Sequence, residues 1–428
     1  MSSWVERDRA VIWHGFTQMS CFAENAPVIV ERAEGRELID VEGRRYLDAI
    51  SSLWVTTLGH RVPELDRAVR EQLDRVAHST LLGNGNRATI ELAEALAPRV
   101  PVDEPHFLFA SDGAAAVEQA LKLAFQYWTN QGVRGRTTYL ALGNAYHGDT
   151  IGSISLGAGG FGTDVFDPLR FPVRRTPGYD DPSWADRAIA MIDAHADELA
   201  AVVIEPLVQG AAGILVTDPE PVRRVAEACR RADVLLIVDE VATGFGRTGT
   251  LFASDQCGVR ADLACMGKGI TGGYLPLSAT AASPRVYEAF LGPDLSERTF
   301  YHGHSYSGNA LACAVARRHL ELLDAWEVLP AVRERATQLA KLLRERIEPL
   351  PVVREVRQRG LMAGVELNPP EAGLRWGRRT CAAAVERGVL LRPLGDVVVL
   401  MPILTTTDEE LVRIVDVLAE AIDVTCTT

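Results

Sequence analysis

Short apolar runs alternate with longer amphipathic segments over the first two thirds of the chain. Several of these runs are apolar on both faces, and most of them lead into a polar residue or a glycine. They are Phe107–Ala110, Thr138–Leu142, Ala201–Glu205, Val234–Asp239 and Leu263–Gly267. Such runs are typical of buried parallel strands, because helices cover both faces of a parallel sheet. The pattern therefore predicts an α/β fold with functional side chains at the ends of strands.

Beyond about residue 325 the apolar residues follow a different pattern, with helical spacing. Four of them mark one face of a predicted helix: Val332, Ala336, Leu339 and Leu343. The apolar segment Gly360–Leu367 then predicts a strand. Thr407 and Glu410 have the spacing of a capping box, which predicts the start of a second amphipathic helix. These elements indicate an α+β unit near the carboxyl-terminal end.

The length of the chain favours two domains. At 428 residues it exceeds what one hydrophobic core usually organises. The segment Val28–Asp40 has the pattern of a hairpin and is expected to join the α+β unit. We therefore expect a large, mostly parallel-sheet domain over residues 61–325 and a smaller α+β domain formed by residues 1–60 and 326–428.

Composition and charge favour small-molecule chemistry. Apolar residues make up 47% of the chain and charged residues 24%, as in ordinary globular enzymes. A net charge of −13 without a long Lys or Arg block argues against nucleic-acid and anionic membrane partners. The scattered cysteines, none paired as C-x-x-C, indicate neither a disulfide framework nor a zinc cluster. The amino-terminal segment lacks the apolar core of a signal peptide, so we expect a cytoplasmic location.

Lys268 and Asp239 are the first candidates for chemistry. Each follows or ends a predicted strand, and Lys268 lies in a glycine-rich turn. A pyridoxal phosphate site needs an amine for the cofactor's aldehyde and a carboxylate that keeps its pyridine nitrogen protonated. A solvated lysine and a helix-capping aspartate are the alternative interpretation of this pair alone.

Two further segments could complete such a site. Ala110–Lys122 follows a predicted strand and opens a helix, so the backbone N–H groups of Gly113 and Ala114 could bind an anion. A plain turn capped by Asp112 would explain the same pattern. Tyr146–Asp149 also follows a predicted strand, and its aromatic residues could stack on a cofactor ring.

Two motifs indicate other chemistries. Gly244–Gly249 matches G-x-G-x-x-G, but neither the expected helix nor the acidic residue of a dinucleotide site follows it. A nicotinamide-dependent oxidoreductase is therefore the alternative from another enzyme class. His302 and His304 could form half of a metal site, yet no third ligand of suitable spacing is near, so no metal is expected.

In combination and order, these motifs resemble those of the class III, fold-type I pyridoxal-phosphate aminotransferases. The resemblance runs from Trp13 to about Ile422, and its signature comprises Asp239–Gly249, Gly267–Gly269 and His302–Asn309. Three stretches are similar to the branch that aminates 8-amino-7-oxononanoate in biotin biosynthesis: Trp13–Met19, Ser51–Val55 and Tyr146–Thr150. Members of this branch use S-adenosylmethionine or lysine as the amino donor.

The resemblance implies a role for each cofactor-binding residue. Lys268 would bind pyridoxal 5'-phosphate covalently and move the proton, Asp239 would pair with the pyridine nitrogen, and Val241 and Tyr146 would cover the two ring faces. The phosphate would be held by Gly113 and Ala114 of one subunit, and by His304 and Ser305 of the second. The implied protein is a homodimer with shared active sites.

The resemblance also implies how the amino donor and the keto acceptor bind. Arg392 corresponds to the position that binds the acceptor's carboxylate, which suits a guanidinium fork, although a surface salt bridge would also explain an arginine there. The implied substrate-binding residues are Phe16, Leu53, Trp54, Tyr146, Asp149, Lys268, Gly303 and Arg392.

Some residues depart from the family pattern. Phe16 replaces a tyrosine, and Leu53 replaces the first of two tryptophans, which leaves the donor open. Ala114 lacks a hydroxyl that many members have, so the backbone would bind more of the phosphate. Ala242 replaces the glutamine of ornithine-type relatives and argues against that branch. An ω-amine transaminase, or a relative with another keto acceptor, is the alternative within the family, and the fold also supports aminomutases and decarboxylases.

Overall fold

The computed structural model describes residues 3–159 and 162–426. Its strands are β1 (Val30–Glu34), β2 (Glu37–Asp40), β3 (Arg45–Asp48), β4 (His106–Ala110), β5 (Thr138–Leu142), β6 (Arg174–Thr176), β7 (Leu199–Ile204), β8 (Val208–Gln209), β9 (Leu215–Val216), β10 (Leu235–Asp239), β11 (Leu263–Met266), β12 (Ser278–Ala282), β13 (Val353–Arg359), β14 (Met362–Leu367), β15 (Val389–Leu390), β16 (Arg392–Leu394) and β17 (Val397–Leu400).

The α-helices are α1 (Trp4–Val11), α2 (Ser51–Trp54), α3 (Pro63–Leu73), α4 (Arg87–Leu96), α5 (Gly113–Asn130), α6 (Ile151–Leu156), α7 (Trp184–His195), α8 (Pro219–Arg231), α9 (Ala253–Cys257), α10 (Pro284–Glu288), α11 (Ala310–Ala325), α12 (Val328–Arg346), α13 (Trp376–Glu386) and α14 (Asp408–Cys426). Short 3-10 helices cover Met19–Asn25, Asp164–Leu169 and Lys268–Thr271. Within residues 3–159 and 162–426, no helix is both long and apolar enough to cross a membrane.

A seven-stranded sheet in the order β4-β12-β11-β10-β7-β5-β6 dominates the fold. All of the predicted central strands belong to it, and the α/β class is confirmed. Adjacent strands from β11 to β6 are parallel. β12, which the sequence analysis did not predict, runs antiparallel between β11 and β4. The expectation that β4 pairs with a parallel neighbour is therefore wrong, because the small-residue strand β12 separates β4 from the others.

The apolar runs are explained by cores on both faces of this sheet. On β10, Leu235 and Ile237 belong to the cluster that includes the buried residues of α5. Leu236 and Val238 face the opposite cluster, which includes the buried residues of α8. Each such side chain contributes about 1.5–3 kcal/mol to stability when fully buried. Because both faces of the strand are buried, the alternation of apolar and polar residues that a one-sided sheet shows is absent here.

Two four-stranded sheets flank the large one, in the orders β1-β2-β3-β15 and β13-β14-β17-β16. The predicted hairpin is present as β1 and β2, and β3 pairs in parallel with β15 from the far end of the chain. The predicted capping box is also present, because the Thr407 N–H donates to Glu410 Oε2 at 2.9 Å and the Glu410 N–H donates to Thr407 Oγ1 at 3.3 Å. The domain boundaries after residues 60 and 325 stay a prediction.

Candidate active site

A cavity of ≈ 710 Å³ opens at the carboxyl ends of the central strands. Five strands each supply a side chain at or just beyond their last residue: Ser111 after β4, Tyr146 after β5, Glu205 after β7, Asp239 from β10 and Lys268 after β11. Eight of the predicted site residues line it: Trp54, Gly113, Ala114, Tyr146, Asp149, Asp239, Val241 and Lys268. Convergence of polar groups at this edge is expected of a parallel sheet, and the volume suits a small ligand.

Lys268 lies at the start of a short 3-10 helix beyond β11, with a positive φ of 41°. Non-glycine residues rarely adopt a positive φ, and those that do are concentrated at functional sites. The Lys268 Nζ lies 5.2 Å from the centre of the Trp54 ring. Burial lowers the pKa of Lys268, although the charges of Asp239 and Glu205 oppose this effect. A larger neutral fraction makes the amine a better nucleophile.

Asp239 ends β10 and is only 5% exposed. Its Oδ2 lies 2.7 Å from His147 Nδ1, and its Oδ1 accepts the Val241 N–H at 3.0 Å. Burial disfavours a charge on His147, but the hydrogen bond to Asp239 and the charges of Asp239 and Glu205 together outweigh it and raise the pKa of His147. Because these contacts hold both oxygens, the carboxylate has a fixed orientation at the cavity wall. The sequence analysis assigned no separate role to His147.

The amino-terminal end of α5 forms another wall of the cavity. Asp112 caps the helix, since its side chain accepts the Ala115 N–H at 2.9 Å. The first N–H groups of a helix have no partner within it, so those of Gly113 and Ala114 are available to an anion. A Cβ on Gly113 would lie 2.6 Å from Val241 Cγ1, so a larger residue does not fit there.

Glu205 is a buried acid that the sequence analysis did not single out. It accepts the Tyr146 N–H through Oε1 at 3.0 Å and the Gly210 N–H through Oε2 at 3.3 Å. Burial raises the pKa of Glu205 to about 7. Glu205 follows an apolar strand much as Asp239 ends one, and this position is the sequence feature that could have identified it as a site residue. Through these contacts Glu205 joins two loops of the site.

Tyr146 and Asp149 form a contact at the exposed side of the cavity. The Tyr146 hydroxyl donates to Asp149 Oδ2 at 2.9 Å. Burial raises the pKa of Tyr146, and the carboxylate of Asp149 acts in the same direction. The phenol is therefore neutral and keeps its proton over the physiological pH range.

The other predicted site residues are not among those that line the cavity. Phe16 and Leu53 are 62% and 45% exposed, and both have positive φ. Arg392 lies in β16, half-buried, and burial lowers its pKa. No salt bridge to Arg392 occurs among the described residues, so the alternative explanation of a surface salt bridge finds no support.

Residues 303–305 lie close to one wall of the cavity. His304 Nε2 is 2.9 Å from Oγ of Ser111, a lining residue of the same chain. The Ser305 carbonyl accepts a hydrogen bond from His78 Nε2 at 2.8 Å, and Leu82 lies nearest to Gly303. Contacts of His304 and Ser305 with a second subunit's phosphate site stay a prediction.

The dinucleotide-like motif occurs in a different structural setting from a Rossmann site. Gly244–Gly249 forms turns after β10, and the next helix, α9, has five residues. A dinucleotide site requires a long helix that starts at the glycines. Among residues 3–159 and 162–426, no group of three or more His, Cys, Asp or Glu side chains could hold a metal ion.

Comparison with known proteins identifies the family. The sequence model described as Aminotransferase class-III matches residues 19–422. An adenosylmethionine-8-amino-7-oxononanoate aminotransferase from Nitratidesulfovibrio vulgaris is 46% identical over 437 residues, which cover 97% of this chain and 80% of that protein. The crystal structure of an enzyme of the same name from Methanocaldococcus jannaschii has a TM-score of 0.94 at 38% identity and covers 98% of each chain. An amine transaminase from an uncultivated Pseudomonas species, in its PLP-bound form, has a TM-score of 0.90 at 32% identity, covering 97% of this chain and 99% of that one. The chain therefore belongs to the class-III aminotransferase family.

Proposed function

We propose that this protein is a pyridoxal-phosphate-dependent aminotransferase that transfers an amino group to 8-amino-7-oxononanoate in biotin biosynthesis. The observation that carries the proposal is the delivery of Lys268 and Asp239 by adjacent parallel strands to one cavity. The substrate assignment is supported by the relatives from N. vulgaris and M. jannaschii, whose names specify this acceptor. Those names also favour S-adenosylmethionine over lysine as the donor.

The cavity fits pyridoxal 5'-phosphate at both ends of that molecule. One end offers the N–H groups of Gly113 and Ala114 at the amino-terminal end of α5, where an anion binds favourably. The other end offers the oriented carboxylate of Asp239, and Lys268 lines the same cavity. When bound, the cofactor supplies an aldehyde that carries the amino group and a protonated ring that accepts electrons from the adjacent carbon.

Lys268 and Asp239 have the central roles. Lys268 Nζ would bind the cofactor covalently, and as a free amine it would move a proton at the substrate carbon. Its pKa, lowered by burial, leaves it able to accept that proton. Asp239 would hold the proton on the pyridine nitrogen, and the contact with His147 orients its carboxylate.

The remaining cofactor contacts fix position and exclude water. Val241 and Tyr146 cover opposite faces of the ring. His304 and Ser305 reach the phosphate from the second subunit of a homodimer, so each active site is completed by two chains. A cytoplasmic location remains part of the proposal, on the grounds of the sequence.

The acceptor carries its carboxylate at one end and its amino and keto groups near the other. Arg392, half-buried and without a salt bridge among the described residues, binds the carboxylate. Asp149 and Tyr146 bind the polar end through the oriented hydroxyl. The rest of the substrate contacts Phe16, Leu53, Trp54 and Gly303.

The second candidate is an ω-amine transaminase, favoured by the likeness to the Pseudomonas amine transaminase. Purified enzyme should aminate 8-amino-7-oxononanoate when S-adenosylmethionine, or else lysine, is the donor. Simple ω-amines with pyruvate provide the comparison. Ready turnover of those amines, with no amination of the acceptor by either donor, would overturn the biotin-pathway assignment in favour of the second candidate.

A further inference from the structure

The segment Ser51–Trp54, α2, is a helical turn wound in the left-handed sense. The φ angles of its four residues are 51°, 47°, 68° and 72°. L-amino acids with side chains disfavour this backbone, and it normally occurs in single residues. A run of four such residues without glycine persists only when its surroundings hold it. Two buried charged side chains, Asp48 and Arg247, hold this turn.

A buried carboxylate binds the second residue of the turn. Asp48, 1% exposed, accepts the Ser52 N–H through Oδ1 at 2.9 Å. Its Oδ2 accepts the Ser52 hydroxyl at 2.8 Å and lies 3.0 Å from His60 Nε2. A charged carboxylate forms stronger hydrogen bonds than a neutral acceptor. The two bonds that Asp48 accepts from Ser52 both depend on the left-handed backbone of Ser52.

A buried guanidinium spans the same turn. Arg247, 1% exposed, donates to Ser51 Oγ at 3.0 Å, to the Thr56 carbonyl at 2.7 Å and to the Pro402 carbonyl at 3.0 Å. Burial lowers the pKa of Arg247 to about 10, and the charge of Asp48 opposes that effect. A buried charge needs hydrogen-bond partners, and here Ser51 of the turn and Thr56, two residues beyond it, supply two of the three. Arg247 thus connects the turn to the end of β17.

The turn delivers the Trp54 ring to the cavity. Trp54 is 6% exposed, and its ring centre lies 5.2 Å from Lys268 Nζ. A Cβ on Gly210 would also lie 3.3 Å from Trp54 Cζ3. The ring therefore occupies a narrow space beside the reactive amine. A turn that relaxed to negative φ would redirect this side chain.

We propose that Asp48 is a positioning residue that sets the fit of the keto acceptor by holding Ser51–Trp54 in the left-handed turn. Asp48 does not line the cavity, and it acts through Ser52 and Trp54. Arg247 shares this role from the opposite side of the turn. The inference rests on the proposed function, because that function assigns Trp54 to the substrate site and Lys268 to the chemistry.

The test compares two buried aspartates. Asp48→Ala removes both bonds to Ser52, whereas Asp40→Ala removes a carboxylate that holds a hairpin turn outside the cavity lining. Both variants should lose thermal stability. Only Asp48→Ala should raise the KM for the acceptor, by roughly tenfold, with a smaller change in donor half-reaction rate. Equal acceptor KM values for the two variants would overturn the proposal.

Two further variants separate positioning from general damage. Asp48→Asn retains an acceptor for the Ser52 N–H and should give an intermediate KM. Ser52→Gly introduced into Asp48→Ala should recover part of the lost affinity, because glycine adopts positive φ without strain. Recovery of thermal stability without any recovery of KM would overturn the proposal. If Asp48→Ala does not fold, Asp48→Asn and Asp40→Asn replace the alanine pair.

Hydrogen exchange provides a readout that does not depend on the substrate. Peptides spanning residues 50–56 should exchange faster in Asp48→Ala than in wild type or Asp40→Ala, because the turn holds the Trp54 and Val55 N–H groups on the Ile50 and Ser51 carbonyls at 2.8 and 2.9 Å. Unchanged exchange would overturn the proposal. If wild type failed to aminate the acceptor, the proposed function would fall, yet the exchange result would still decide the role of Asp48 in the turn.

Discussion

Asp239 Oδ2 and His147 Nδ1 lie 2.7 Å apart, in a pair with side chains 5% and 0% exposed. His147 Nε2 has no hydrogen-bond partner among the described residues, so Asp239 is the dominant partner of the ring. The hydrogen bond that Asp239 accepts, together with the charges of Asp239 and Glu205, raises the pKa of His147 against the effect of burial. The pair therefore places an oriented carboxylate at the cavity wall, as a protonated pyridine nitrogen requires.

Asp239→Asn should lower the rate of both half-reactions by roughly 10²- to 10³-fold while much of the cofactor stays bound. The amide has no charge with which to hold the ring proton, although its shape is almost unchanged. Stopped-flow absorbance would measure the half-reactions, and equilibrium dialysis the cofactor. His147→Gln, which leaves Asp239 in place, should lower the half-reaction rates less than Asp239→Asn does. Near-normal half-reaction rates in Asp239→Asn would show that the carboxylate has another role.

Lys268→Ala should lose the visible absorbance band that the purified wild-type protein shows with its cofactor. No other lysine is among the residues that line the cavity. Borohydride reduction of wild type followed by peptide mapping should put the label on Lys268. Lys122, whose Nζ lies 3.1 Å from His302 Nδ1 and outside the lining, is the control, and Lys122→Ala should keep the band. A label found on any other lysine would refute the assignment.

Glu205 should make the protein less stable as the pH rises. Burial raises its pKa from 4.5 to about 7, so the folded state binds more protons than the unfolded state between these values. Its favourable contribution is complete below about pH 4.5 and is lost as the pH rises through about 7, a change on the order of 3 kcal/mol. In Glu205→Gln this part of the pH dependence should disappear.

Urea unfolding of wild type and Glu205→Gln at several pH values would measure the effect. The free energy of unfolding of the variant relative to wild type should increase as the pH rises through 7. Parallel curves for the two proteins would contradict the prediction. Glutamine keeps one carbonyl acceptor, for either Tyr146 or Gly210, so the loss of the other contact should lower stability by a similar amount at every pH.

The sequence was most informative where a local pattern decides the structure. The central strands were predicted from apolar runs, because both faces of each strand lie in a core. The capping box at Thr407 was predicted because its partners are three residues apart. β12 carries only Ser, Ala and Thr, and its burial comes from neighbours distant in sequence, so no local pattern marked it.

The site was predicted in part for the same physical reason. Lys268 and Asp239 stand at strand ends, and parallel strands bring their carboxyl ends together. Glu205 has the same position after β7, but its role depends on backbone N–H groups of Tyr146 and Gly210, which no sequence pattern reports. The left-handed turn at Ser51–Trp54 was also beyond prediction, because its residue types do not favour that backbone.

Arg392→Ala should raise the KM for 8-amino-7-oxononanoate by an amount equivalent to about 1.5–3 kcal/mol, because a charge-assisted contact to the substrate carboxylate is lost. The donor half-reaction should change less. Arg354→Ala is the matched control, since Arg354 lies in the same small sheet but pairs with Glu366 at 3.0 Å on the exposed surface. An acceptor analogue whose carboxylate is replaced by an amide should bind wild type as weakly as it binds Arg392→Ala. If the variant still discriminated between the two acceptors as wild type does, another group would have to bind the carboxylate, and Arg392 would be left without a role in the site.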